Sequence, residues 1–371
     1  MTYKFERQHK QTNFNYSPNF TSNLREDLLS MADLEKVTIR TTEADYTAST
    51  SSSDIIMMKP KFTSQILSSH DVPKKGMNDP SSTFFQKLGV TDKDGKPRPR
   101  MSSKLKQCNK FVEVVGRLLL KEGAKERGVE VLDMGCGKGY LTFALHNHLC
   151  EKVDAQRVRS VGVEVRPKLV DDINNIARDL GGNFETLSFA VGEIGNFDNT
   201  EKEDEKVSAL IALHACDTAT DDAIYQGIKN DCDVIVLSPC CHKEVRRYME
   251  KNDVKRDAEH PYKNLLRFGV YRERVAEQVT DTLRGMLLEV AGYDVDIFEF
   301  IGGEHTAKNC MITATKARKG KVGGGSLEEL RDLARMHGIE RIKLADLLGV
   351  DLGVGEGRTK SEIPRGRMPP K

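Results

Sequence analysis

The chain has 371 residues, 38% of them hydrophobic and 30% charged, with 57 Lys and Arg against 56 Asp and Glu. That length allows one large or two ordinary domains, each with a sizeable core. The near-zero charge balance excludes a wholesale polyanion binder while leaving room for a local basic patch. No window reaches the roughly 18 to 20 apolar residues of a membrane span, so the chain is expected to be soluble and to have no membrane partner. Eight cysteines lack the density of a disulfide scaffold, and the amino terminus, MTYKFERQHKQTNFNYSPNF, has no apolar leader. The thiols are read as reduced, in a cytoplasmic protein, with organelle and nucleus left open. Oligomeric state is unknown from sequence.

In chain order, the first 60 residues are polar and read as irregular, with a Ser/Thr tract at 47–54 and a strand pair around KVTIRTTEADYTAST. Residues 71–100 are rich in Pro, Gly and Lys and read as a linker or exposed loop. The stretch SSKLKQCNKFVEVVGRLLLKEGAKERG spaces Leu105, Val112, Val115, Leu118 and Leu119 for an amphipathic helix, with Ser102 or Ser103 as candidate N-cap. Seven β-branched runs follow: VEVLDMG, SVGVEV, TLSFAVG, SALIALHAC, DVIVLSPC, VDIFEFI and NCMITATK. Helical stretches separate the first six, which predicts βαβ units and a mostly parallel sheet. Only GGEHTAK separates the last two, so they are expected to form an antiparallel hairpin at the sheet's end. The organisation is therefore an accessory region over 1–78, an α/β domain over 79–318 and a tail with one helix over 319–371.

The strongest chemical signal is VLDMGCGKGYLTFAL, residues 131–145, where a strand runs through Gly135, Gly137 and Gly139 into a helix. Glycines there let the backbone approach a ligand and aim helix-start amides at it. The next strand ends in Glu164, a candidate acceptor for two ribose hydroxyls. A nicotinamide or flavin fold prefers GxGxxG, whereas this segment reads D-x-G-x-G-x-G, with Asp133 at the strand's end. A glycine turn without function is the bland alternative.

Two further strands end in LHACDTATDD (213–222) and SPCCHKE (238–244). His214, Cys216, Asp217, Cys240, Cys241 and His242 are thus candidates to converge beyond the sheet's carboxyl edge. A zinc site is one reading, set aside because zinc ligands favour C-x₂₋₄-C spacing and adjacent cysteines point apart on extended backbone; no metal is expected. A second reading makes Cys240 or Cys216 a nucleophile toward a pyrimidine ring. A third makes the group an acceptor pocket in which His214 or Asp217 orients or deprotonates the acceptor. Free cysteines are also commonly small buried hydrophobes.

Taken together, DMGCGKGYLTFAL, LHACDTATDDAI, PCCHKE and EHTAKN resemble the class I S-adenosylmethionine-dependent methyltransferase domain family that includes tRNA acceptor-stem 2′-O-methyltransferases, over residues 80–316. The resemblance implies a Rossmann-like α/β fold with a seven-stranded sheet and S-adenosyl-L-methionine as cofactor. It implies that Gly135, Gly137 and Gly139 pass beneath the cofactor's methionine and ribose, with Asp133 near its amino group. Glu164 would hold the ribose and Glu193, in AVGEIGNF, the adenine. Catalytic roles fall to His214, Cys216, Asp217, Cys240 and Cys241. The tRNA enzymes carry Cys/His zinc modules ahead of this domain, while the first cysteine here is Cys108. RNA O- or N-methylation is the leading expectation. A 5-methylcytosine-type enzyme with a Cys nucleophile and a noncatalytic RNA-binding or assembly factor are the alternatives. An RNA partner would meet the basic run Lys93, Lys96, Arg98, Arg100, Lys104, Lys106 and Lys110, otherwise a solvated charge face.

Overall fold

The computed structural model describes residues 2–7, 10–15, 36–40, 45–51, 54–57, 78–197, 207–251, 260–303, 306, 308–317 and 326–353. The chain divides into two units, Met1–Lys74 and Lys75–Lys371.

In the first unit, β1 (Thr2–Arg7), β2 (Lys10–Asn15), β3 (Lys36–Arg40), β4 (Asp45–Ser51) and β5 (Asp54–Met57) form an antiparallel sheet in the order β2-β1-β3-β4-β5. The expected strand pair is β3 with β4, running from Lys36 opposite Ser49 to Arg40 opposite Asp45. The other three strands correct the reading of this region as irregular. TYKFER places Tyr3 and Phe5 two apart, a strand period carried on a polar background that composition alone obscures.

The second unit contains all seven expected strands: β6 (Val129–Met134), β7 (Val158–Glu164), β8 (Leu187–Val191), β9 (Ala209–Leu213), β10 (Val234–Ser238), β11 (Tyr293–Glu299) and β12 (Cys310–Lys316), in the order β11-β12-β10-β9-β6-β7-β8. The first five run parallel to one another. β12 enters between β10 and β11, antiparallel to both. β6 and β10 are buried along their whole length, as parallel strands covered on both faces must be. Their side chains alternate between two cores: Val129 and Val131 pack with Phe111, Leu119 and Phe143, whereas Leu132 and Met134 pack with Ile224, Leu283 and Leu287. Each large apolar side chain so buried contributes roughly 1.5–3 kcal/mol.

One face carries α1 (Thr83–Lys87), α2 (Ser102–Lys121), α3 (Ala124–Arg127), α4 (Tyr140–Cys150) and α5 (Pro167–Leu180). The other carries α6 (Thr218–Lys229), α7 (Lys243–Lys251), α8 (Lys263–Leu266), α9 (Gly269–Val290), α10 (Leu327–Met336) and α11 (Lys343–Leu348). Three details depart from sequence expectation. Met101, not a serine, is the N-cap of α2, with no side-chain cap bond. Residues 81–100 are not a plain linker, because Phe84 and Phe85 reach the core and Thr91 bridges Pro97. Residues 326–353 are not a tail: Ser326 Oγ accepts from the Glu329 amide at 3.2 Å to start α10, and Leu330, Ala334, Leu344 and Ala345 complete the second core. Residues 319–325 and 354–371 lie outside the described residues. Among the described residues, no helix is long and apolar enough to cross a membrane.

Candidate active site

β6 delivers Asp133 and then turns through Gly135, Gly137 and Gly139, whose φ angles are +75°, +57° and +73°. Side chains rarely tolerate that left-handed backbone, which is why this turn requires glycine. A Cβ on Gly139 would stand 3.0 Å from Phe189 Cε1, whereas one on Gly137 would meet nothing within 4 Å, so the turn is packed behind and open at Gly137. The Gly135 and Cys136 amides both donate to the Val163 carbonyl, at 2.9 and 3.0 Å, fixing the turn to β7. α4 starts at the next residue, Tyr140, so the positive end of its dipole adjoins the turn.

The carboxylates expected around that turn have distinct settings. Asp133 is 2% exposed and accepts from Thr142 Oγ1 at 2.7 Å. Burial pushes its pKa up to about 7 despite the threonine bond. Glu164, at the end of β7, is buried and gripped by Arg166: Nε donates to Oε1 at 2.8 Å and Nη2 to Oε2 at 3.1 Å. Those bonds hold its carboxyl below the usual range. Ribose hydroxyls reaching Glu164 must share or displace a guanidinium whose side chain is 64% exposed. Glu193 is exposed after β8 and accepts from Asn196 Nδ2 at 3.2 Å. Its neighbour Ile194 lies within 3.4 Å of where a Gly135 Cβ would be, so this loop folds onto the glycine turn.

The ends of β9 and β10 come together as expected. The His214 amide donates to the Ser238 carbonyl at 3.1 Å. Cys216 Sγ lies 3.4 Å from Cys240 Sγ and 3.9 Å from Cys241 Sγ, and the latter two are 3.7 Å apart. The expectation that Cys240 and Cys241 point apart is therefore overturned. β10 ends at Ser238, so the pair sits in a turn where alternation no longer applies. His214 Nε2 lies 3.1 Å from Gln107 Oε1 of α2, and burial, then the charge of Lys104, lowers its pKa. Burial, and then its two thiol neighbours, hold the Cys240 thiol well above the ordinary range.

Two of the expected residues turn elsewhere. Asp217 Oδ1 accepts from the Lys243 and Glu244 amides at 2.9 and 3.0 Å, capping α7. His242 is buried and its Nε2 lies 3.0 Å from Asp281 Oδ1. His214 and Asp217 have φ of +66° and +53°, unusual for residues with side chains; such backbone gathers at functional sites where the surroundings enforce it.

Sequence reasoning missed what enforces it. Arg284, 1% exposed on α9, donates from Nε and Nη2 to Asp221 at 3.1 and 2.7 Å, from Nη1 to Asp281 at 3.2 Å, and from Nη2 to the Asp217 carbonyl at 2.8 Å. This buried ionic cluster ties α6, α9 and the His242 turn behind the strand ends. The Asp281 and Arg284 spacing of three residues within an apolar helical stripe was its only sequence signal. Of the hairpin residues, Lys308 pairs with Glu277 of α9, and His305 lies outside the described residues. A cavity of about 740 Å³ opens at the opposite edge of the sheet, lined by Arg127, Glu130, Arg157, Arg159 and Asp233. It lies at the strands' amino ends, away from the edge where such sheets bind ligands.

Residues 103–248 match the family model described as a methyltransferase domain. No curated protein matches the chain. Among solved structures, magnesium protoporphyrin IX methyltransferase from Synechocystis PCC 6803 with bound SAH is similar at 15% identity and TM-score 0.38, over 64% of this chain and 96% of that one. An rRNA methylase from Streptococcus thermophilus is similar at 12% identity and TM-score 0.35, over 60% and 100%. The methyltransferase PaMTH1 from Podospora anserina, with bound SAH, is similar at 12% identity and TM-score 0.38, over 65% and 89%. The residues present fit an S-adenosyl group, with a cradle open at Gly137, an acid at the end of β7 and a buried carboxyl, Asp133, that an ammonium would ionise. The stretch that matches the methyltransferase-domain model, residues 103–248, holds the glycine cradle, Glu164 and the ends of β9 and β10.

Proposed function

We propose that this chain is an S-adenosylmethionine-dependent methyltransferase that acts on RNA, at an oxygen or nitrogen of a tRNA or rRNA, in a reducing compartment such as the cytoplasm. One observation carries the reading. Lys93, Lys96, Arg98, Arg100, Lys104, Lys106 and Lys110 are all exposed, and within their run Gln107 of α2 meets His214 while the charge of Lys104 acts on the same ring. Such a run suits a phosphate backbone whose modified nucleotide enters beside His214.

When bound, S-adenosylmethionine supplies an already activated methyl group. The chain then has to align the acceptor and remove its proton. In this reading Gly135, Gly137 and Gly139 hold the methionine and ribose portion, Asp133 the ammonium, Glu164 the ribose and Glu193 the adenine. His214 holds the acceptor's proton: its lowered pKa keeps the ring neutral at pH 7, and with Gln107 Oε1 accepting from Nε2, the lone pair stays on Nδ1. Asp217 positions this turn through its cap on α7. Cys216, Cys240 and Cys241 wall the acceptor pocket; a thiol as hard to ionise as Cys240 is a poor pyrimidine nucleophile.

Mass spectrometry of RNA nucleosides from cells with and without the protein tests the substrate. Loss of one methylated nucleoside, restored by the wild-type chain but not by Glu164→Ala, is expected. Unchanged RNA with label transferred to a small molecule by the purified protein would sink the RNA reading.

A further inference from the structure

We propose that Cys216, Cys240 and Cys241 form a tri-thiolate site for one Zn²⁺ at the carboxyl ends of β9 and β10. Their Sγ atoms make a triangle with edges of 3.4, 3.7 and 3.9 Å. Sulfurs about 2.3 Å from a tetrahedral zinc stand about 3.8 Å apart, so the triangle has the size of one face of such a site. No other of the eight cysteines joins it, and among the described residues these three are the group whose ligand atoms converge closely enough to hold a metal.

The surroundings suit a site that loads after folding. Cys216 is exposed while Cys240 and Cys241 are half-buried, so an ion has an entry path. Beyond the thiols themselves, the polar contacts of Cys216 and Cys240 are long ones to the His214 carbonyl, at 3.7 and 3.9 Å, so no strong hydrogen bond accounts for their convergence. The sulfurs belong to separate stretches, HisAlaCysAsp after β9 and ProCysCysHis after β10. A bound ion would staple those turns together where the acceptor pocket is placed. Binding exchanges three S–H protons for three Zn–S bonds and leaves a site of net charge −1; the protons go to buffer and no oxidant is needed. Thiolate softness and the three-sulfur donor set select zinc over magnesium or calcium.

The test needs no methyl transfer, so its failure is distinguishable from failure of the RNA reading. The full chain, purified in reductant without chelator, is expected to hold one zinc, with three sulfurs at about 2.3 Å by X-ray absorption. Cys216→Ser, Cys240→Ser and Cys241→Ser are each expected to lower zinc affinity about tenfold or more, while Cys150→Ser, on α4, leaves it unchanged. Reduced protein that takes up no equivalent of added zinc overturns the site. So does a spectrum with fewer than three sulfurs, which decides the matter even where a serine variant fails to fold. A Cys216–Cys240 disulfide that, once reduced, yields no zinc uptake overturns it as well.

Discussion

Asp133 sets a pH dependence that belongs to one residue. Its folded pKa of about 7 lies above the unfolded value near 3.9, so the folded chain binds more protons between those limits. Stability that this group contributes at low pH is therefore lost as pH rises from about 4 through 7. Glu244, pushed up to about 7 by burial, titrates in the same window, and Asp133→Asn separates the two. An ammonium beside Asp133 favours the charged form, so S-adenosylhomocysteine affinity should rise up to about tenfold per pH unit from 5 to 7. Calorimetry across that range checks it. A profile no steeper in the wild type than in Asp133→Asn would remove Asp133 from the site. The glycines and this acid were legible because strand, acid and turn are local in sequence. The thiol triangle was legible only in part: the strand ends were expected to converge, but adjacency of Cys240 and Cys241 says nothing about side-chain direction once the strand has ended.

Between elements, Arg284 does what no backbone contact does, joining α9 to the start of α6 beneath the strained His214–Asp217 turn. Arg284→Met leaves Asp221 and Asp281 buried without their cation, which costs about 3–5 kcal/mol. Urea denaturation reads this directly, and adding Asp221→Asn and Asp281→Asn should recover part of the loss. Equal stability of Arg284→Met and wild type would mean that the cluster is incidental. The helix itself was visible from Val279, Leu283 and Leu287. Its inward charges were not, because charged residues within an apolar stripe are ordinarily read as solvated, and only the fold brings Asp221 to meet them. The same limit hid α11 and the packing of the expected helix α10, whose small apolar faces have meaning only against the second core.

For the molecule as a whole, the parallel sheet was readable because its central strands β6, β7, β9 and β10, almost wholly buried, appear as largely apolar runs. The first unit's sheet alternates on a polar background and was largely missed. The charge pattern is also a property of the whole: an almost neutral chain concentrates seven exposed cations between residues 93 and 110. Removing two of them with Lys104→Ala and Lys106→Ala should reduce the slope of log affinity against log salt by about 1.4 for a single-stranded RNA. Fluorescence anisotropy at several salt concentrations checks this, and an unchanged slope would place the RNA elsewhere.

The insertion of β12 between β10 and β11 separates the order of synthesis from the order in space. β11 is made before β12, yet within this sheet it pairs only with β12. A nascent chain that has reached residue 299 thus holds β11 without its strand partner, although Tyr293 can already pack into the second core and donate to the Cys232 carbonyl. The edge of the sheet, and the carbonyl of Cys310 that accepts from Ser238 Oγ at 2.9 Å beside the paired cysteines, can form only after residue 316 has left the ribosome. Such late, distant pairing is slow, so the acceptor side of the site should be among the last parts of this domain to become competent.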